Sequence, residues 1–181
     1  MCFKISGLFT VLGLFSLAGA YRVIPNIEDG IIFHEHDSTS PFVKIGNGFY
    51  YFEPVLEKNW YAAFESCRRM DADLISFDSI EEWNAINQYI LSNKIDHLYW
   101  TSGTDFAENG KHKWFTTGEP ITLNIWNEGE PNNLGLNEHC DEMGKGRTEN
   151  NYNVLNDKSC YSERLYICKT RQPKTASFLI W

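Results

Sequence analysis

Three carboxylates and two carboxamides are the residues of this chain best suited to chemistry. Glu130-Pro131-Asn132 is followed by Glu138 and later by Asn156-Asp157. Each of the five supplies a hard oxygen donor. A calcium ion takes six to eight such ligands at about 2.3–2.6 Å and tolerates irregular geometry, whereas a softer metal calls for His or Cys. Three carboxylates crowded into a small volume repel one another unless a dication offsets them, so ion binding and loop order should be coupled. Two other groupings are weaker. Glu128 and Glu130 could be imagined as a glycosidase pair, but no activated nucleophile accompanies them, and no enzyme is expected. His34 and His36 could grip a metal from an extended segment, although a solvated, metal-free arm is the expected state.

The five donors lie in segments poor in regular structure, so other elements must hold them. Gly46 and Gly48 punctuate a turn before Phe49-Tyr50-Tyr51-Phe52-Glu53, an aromatic run that favours a strand and is halted by Pro54. Asn59 can cap a helix whose apolar positions Trp60, Ala63, Phe64, Cys67 and Met70 share one face, which turns Cys67 inward. A short β-type segment from Ala72 to Phe77 leads to Ser79, and Glu82 three residues later completes a capping box. The second helix then carries Ile80, Trp83, Ile86, Ile90 and Leu91 inward. His97 to Thr101 reads as a buried strand. Residues Ser102 to Leu136 read as one long loop with Trp114, Phe115, Leu123 and Trp126 as anchors, a length that is uncommon unless functional. Short strands are predicted at Cys140–Met143, Tyr152–Leu155 and Arg164–Cys168.

Composition bounds the function classes. The chain has 181 residues, is 43% hydrophobic and 22% charged, and carries a net charge of −8. These values fit one globular domain and exclude extensive disorder. The acidic balance argues against nucleic acid, since no Lys/Arg stripe is present to neutralise phosphates. Lys4, the apolar run Leu8–Ala18 and the small residues Ala18-Gly19-Ala20 read as a secretory signal over 1–20. About ten apolar residues are too few to span a bilayer, so no membrane insertion is expected. Removal of the signal would take Cys2 from a set of five cysteines and leave Cys67, Cys140, Cys160 and Cys168, an even number suited to a secreted, extracellular protein. Four cysteines allow three pairings. The spacing lacks the paired C-x-x-C of most zinc sites. An N-terminal arm over 21–44, a domain over 45–170 and a tail over 171–181 complete the expected organisation.

In its order of motifs the sequence resembles the C-type lectin family. The likeness rests on Cys67, Tyr99-Trp100-Thr101-Ser102-Gly103, Glu130-Pro131-Asn132, Glu138-His139-Cys140, Asn156-Asp157, and the closing Cys160 and Cys168. The resemblance implies an α+β fold of two helices with antiparallel sheets and a long calcium-binding loop region, braced by Cys67–Cys168 and Cys140–Cys160. It implies that Glu130, Asn132, Glu138, Asn156 and Asp157 bind both calcium and sugar, and that Pro131 follows a cis bond. The Glu-Pro-Asn order is the family's mark for mannose-type sugars, including fucose and N-acetylglucosamine. Galactose, or a protein ligand in place of sugar, are the alternative readings. Leu155 stands where many members have Trp. Asp105 matches a ligand of the family's auxiliary calcium site, but Asn109, Asn133 and His139 stand where carboxylates are expected, so a second ion should be weak or absent. The resemblance is to the single-domain secreted lectins of insects in particular. The expected partners are glycans on microbial or cell surfaces, with self-association to raise avidity and a role in innate immunity.

Overall fold

The computed structural model describes residues 41–170 in full and the backbone of 24–29 and 174–179. The signal segment, His34 and His36 lie outside the described residues. Among the described residues there are ten strands and two α-helices, in the α+β class expected. Strand β1 (Ile24–Asp29) pairs antiparallel with β10 (Lys174–Leu179) as a unit of its own. The sequence suggests no regular element in either stretch.

The larger unit is built on an eight-stranded sheet. Its strands are β2 (Val43–Ile45), β3 (Gly48–Phe52), β4 (Ala72–Leu74), β5 (Tyr99–Thr104), β6 (Lys113–Trp114), β7 (Cys140–Met143), β8 (Leu155–Lys158) and β9 (Leu165–Thr170). The order β2-β3-β9-β5-β7-β8 runs across the sheet, with β4 paired to β9 and β6 to β5. Only the β5–β9 contact is parallel among these pairs. The sheet therefore joins the two ends of the unit at β3–β9 and carries the loop region on β5, β7 and β8.

Helix α1 (Trp60–Arg69) starts where Asn59 accepts the Ala62 N–H at 2.9 Å, and it ends with Arg68 and Arg69 near its carbonyl pole. It buries Trp60, Ala63, Ser66 and Cys67. Helix α2 (Ile80–Ser92) starts where Ser79 Oγ accepts the Glu82 N–H at 3.2 Å, while Glu82 reaches back to the Asp78 N–H at 3.0 Å. Trp83, Ile86, Asn87 and Ile90 face inward. Ile80, expected on that face, is exposed, because the first turn stands clear of the core.

Two apolar clusters hold the unit together. One gathers the inner face of α2 with Tyr99, Trp114, Ile125, Val154, Leu155 and Ile167. The other packs α1 against Trp100, Tyr166 and all four cysteines, which form the disulfides Cys67–Cys168 and Cys140–Cys160. In the loop-entropy model, cross-links over separations of 101 and 20 residues are each worth about 3–5 kcal/mol. Buried indole N–H groups find carbonyls: Trp60 donates to Thr101 O, Trp100 to Lys58 O and Trp83 to Tyr152 O. Around Trp60, the rings of Tyr61, Phe106 and Phe115 pack edge-on and keep their outer surfaces exposed.

The stretch expected as one loop over 102–136 is partly structured. Strand β5 continues to Thr104, and β6 folds back on it with Gly103 opposite Trp114. Gly103 is required here, since a Cβ would collide with the Asp141 carboxylate. The remainder is pinned at Trp126, which bridges to Leu155, with Asn127 N–H to Leu155 O at 2.9 Å and Leu155 N–H to Ile125 O at 3.0 Å. The strand expected at Tyr152–Leu155 lies later, at Leu155–Lys158, because Asn156 and Asp157 pair with β7 in full register.

Candidate calcium and sugar site

Beyond the Trp126–Leu155 bridge the chain turns at Asn127, whose carbonyl accepts the Glu130 N–H at 3.0 Å, and passes through the cis Glu130–Pro131 bond. The next two amides point at one carboxylate. Asn132 N–H donates to Asp157 Oδ1 at 3.0 Å and Asn133 N–H to Asp157 Oδ2 at 2.7 Å. Asp157 is fully buried, so these charge-assisted bonds fix the Glu-Pro-Asn turn against β8. The loop then closes on itself. Glu138 N–H donates to Asn133 Oδ1 at 3.0 Å, and Leu134 N–H donates to Glu138 Oε2 at 3.2 Å. Asn133 adopts φ 44°, in the left-handed region that Asn tolerates better than most residues.

Three of the five expected donors, Glu130, Glu138 and Asp157, thus face one another, and Asn132 joins them through its backbone amide. Asn156 is next to them on β8, where its Nδ2 donates to Glu142 Oε1 at 3.0 Å. Glu142 is held in turn by Arg164, so Asn156 is oriented by a buried chain of charge-assisted bonds. Glu130 Oε2 is buried without a hydrogen-bond partner. Burial, then the hydrogen bond and charge of Asp157, then the charge of Glu138, push the Glu130 carboxyl above the usual range, while Lys145 pulls the other way. Acid faces acid here. The sequence does not point to Lys158, yet its Nζ lies 2.6 Å from Glu138 Oε1. Among the described residues no three His, Cys, Asp or Glu side chains are gathered closely enough to hold a metal as they stand. Glu138 is drawn toward Lys158, and both Asp157 oxygens face backbone amides. The donor set still fits a hard cation, because the orphaned Glu130 oxygen and its repulsive neighbours are what a cation would relieve.

A second acidic cluster lies beside the first; the sequence marks its Asp105 and His139 but gives no sign of Asp141 and His112. Asp141, fully buried on β7, faces Asp157 across the ladder, and its Oδ1 lies 2.8 Å from His112 Nδ1. Asp105 takes the Gly110 N–H at 2.8 Å and lies 2.8 Å from His139 Nδ1 and 3.9 Å from His112 Nε2. Burial pushes Asp141 up to about 6, opposed by His112 and reinforced by Asp157 and Asp105. Burial pulls His112 down, but the bond and charge of Asp141, with Asp105 and Asp157 behind it, outweigh that pull and raise it.

A family model described as "Lectin C-type domain" matches residues 56–170, more than half of the chain. The chain belongs to the C-type lectin family. Among relatives of this C-type lectin, C-type lectin 37Da of Drosophila melanogaster is 31% identical over 179 residues, 96% of each chain. The human CD209 antigen is 28% identical over 122 residues, covering 66% of this chain and 28% of its own length. Among solved structures, the carbohydrate-recognition domain of the mouse scavenger receptor C-type lectin aligns at TM-score 0.62 with 20% identity, over 76% of this chain and 98% of its own. The corresponding domain of cow CD23 aligns at 0.60 with 24% identity, over 75% and 95%. The fold is thus the C-type lectin fold, and the protein falls in a class of non-enzymatic, carbohydrate-binding proteins. No helix among the described residues is long and apolar enough to cross a membrane.

Proposed function

We propose that this C-type lectin binds glycans through one calcium ion held by Glu130, Asn132, Glu138, Asn156 and Asp157. The observation that carries the reading is the buried, unpartnered Glu130 oxygen set among like charges at the end of a loop clamped to Asp157. Calcium bound there would offer coordination positions to two neighbouring sugar hydroxyls. The protein's part is to orient the same hydroxyls. Glu130 and Glu138 accept from hydroxyl protons, and the amide groups of Asn132 and Asn156 donate to hydroxyl oxygens. Asn156 can do this with its second N–H, since the first is committed to Glu142.

The Glu-Pro-Asn order supports a mannose-type preference over galactose. The family's auxiliary positions are closed by protein partners, His139 on Asp105 and Asn133 Nδ2 on Asn109 Oδ1 at 3.3 Å, which supports a single ion. The chain is read as secreted, with a leader over 1–20, an arm over 21–44, the lectin domain over 45–170 and a tail over 171–181. Two hydroxyls on one ion give binding of around millimolar strength, so clustering of copies on microbial or cell-surface glycans would supply the rest. A glycan array read with calcium and with a chelator tests the proposal. Chelator-sensitive binding to mannose-type glycans is expected. Binding indifferent to the chelator, or confined to galactose, overturns the ion or the specificity respectively, and a strictly monomeric species in sedimentation overturns the clustering.

A further inference from the structure

The site is bordered by two lysines that the family motif does not call for. Lys158 Nζ lies 2.6 Å from Glu138 Oε1, and its side chain is 31% exposed. Lys145 is exposed in the turn that follows β7, and its charge acts on Glu130. The cluster's three carboxylates would be answered by a dication and the Lys158 ammonium, so the filled site would no longer repel an anion, in a chain of net charge −8. That local loss of negative charge is the feature to explain. A neutral sugar has no use for it.

We propose that Lys158, with Lys145 as a weaker second cation, selects acidic saccharides: glycans that offer a neutral hydroxyl pair to the ion and carry a sulfate, phosphate or carboxylate beside it. This rests on the calcium-dependent reading above. Lys158 is tied to Glu138. Once Glu138 shares its charge with a dication, the ammonium loses much of that attraction and gains a repulsive neighbour, so its next best partner is an anion on the ligand. A point charge on a flexible stem suits this task, since the anionic substituent need not occupy one fixed position. The same argument makes Lys158 a competitor of calcium for Glu138. One substitution should therefore move two quantities in opposite directions.

The test compares the full chain with Lys158→Gln and Lys145→Gln on matched pairs of neutral and sulfated or uronate-bearing glycans, at low and at physiological salt, with calcium affinity measured separately by titration calorimetry. The wild-type protein should favour the acidic member of a pair by about fivefold to tenfold at low salt, less at physiological salt. Lys158→Gln should remove most of that preference, keep neutral binding, and tighten calcium by about threefold. Lys145→Gln should reduce the preference by about twofold. Calcium-dependent neutral binding with no acidic preference, or a preference unchanged in Lys158→Gln, overturns this inference and leaves the lectin reading standing. An absence of calcium binding in the wild-type chain overturns both.

Discussion

Two groups of buried acid share the β7–β8 ladder, and they are neutralised by opposite means. Asp157 belongs to a cluster in which Glu130, Glu138 and Asp157 face one another and one oxygen finds no partner. Asp141, its register neighbour, also keeps one oxygen without a partner, but it belongs to a cluster in which each acid lies 2.8 Å from an imidazole. In the proposed reading the first is completed by an ion from outside the protein. The second is met by the protein's own imidazoles. The contrast can be attacked from either side.

The largest effect is expected on the internally neutralised side. His112→Ala would leave the Asp141 charge fully buried and unpaired, which costs about 3–5 kcal/mol. Urea unfolding in the presence of a chelator measures this directly. Replacing both partners, His112→Phe with Asp141→Val, should recover most of the loss, because apolar groups of similar size need no partner. A loss below 1 kcal/mol for His112→Ala would mean that the pair is not what holds this region.

On the other side, calcium at a hundredfold excess over its Kd should stabilise the protein by about 2.7 kcal/mol. Glu130→Gln should remove most of that increment, read as a shift in Tm with and without the ion. The doubly apolar variant at His112 and Asp141 should keep it. A reduced increment there would show that Asp141 and Asp157 act as one unit across the ladder rather than as two.

Acid should separate the two clusters more clearly. His112 is raised above its usual 6.5, so its contribution is fully present below that pH and is lost as the pH rises through the folded value. Asp141, raised to about 6 from 3.8, also holds its proton more tightly in the folded chain, so its contribution also grows as pH falls. The chelated protein should therefore lose stability as the pH rises above 6.5, and the apolar double variant should lose this slope. Glycan binding should run the other way. Calcium must displace protons from its carboxylates, and Glu130 keeps its proton to a higher pH than an ordinary glutamate. Binding that persists undiminished from pH 7 to pH 5 would contradict the assigned ligands.

Local rules made the scaffold readable. Asn59 and Ser79 announce both helices, and α1's three-to-four spacing turns Cys67 inward to its disulfide. They failed where side chains act across distance. Asn156 and Asp157 look like turn residues, yet β7 recruits them into a strand. Ile80 fits the apolar face of a helical wheel but sits in a first turn that nothing covers. The oxygen donors of the ligand loop were legible because they sit in short motifs. Asp141 and His112 were not, because the need of a buried acid is met 29 residues away, with no periodicity to link them. Lys158 follows directly on Asp157, but its meaning depends on Glu138, twenty residues earlier.

The smallest expected effect tests where the two clusters join. His139 follows Glu138 and spends its Nδ1 on Asp105, so the imidazole-paired cluster occupies ground that the family likeness assigns to an auxiliary calcium ion. His139→Asp would replace the imidazole with an acid and set two carboxylates side by side. Without metal the variant should lose about 1 kcal/mol, because Asp105 keeps only the Gly110 N–H. With calcium the repulsion becomes a ligand pair, and titration should show a second, weaker ion that raises the stoichiometry from one to two. Asn109 and Asn133 remain carboxamides, so this ion should bind at least tenfold more weakly than the first. A variant that loses stability but gains no ion would mean that geometry, and not the imidazole, excludes the second cation.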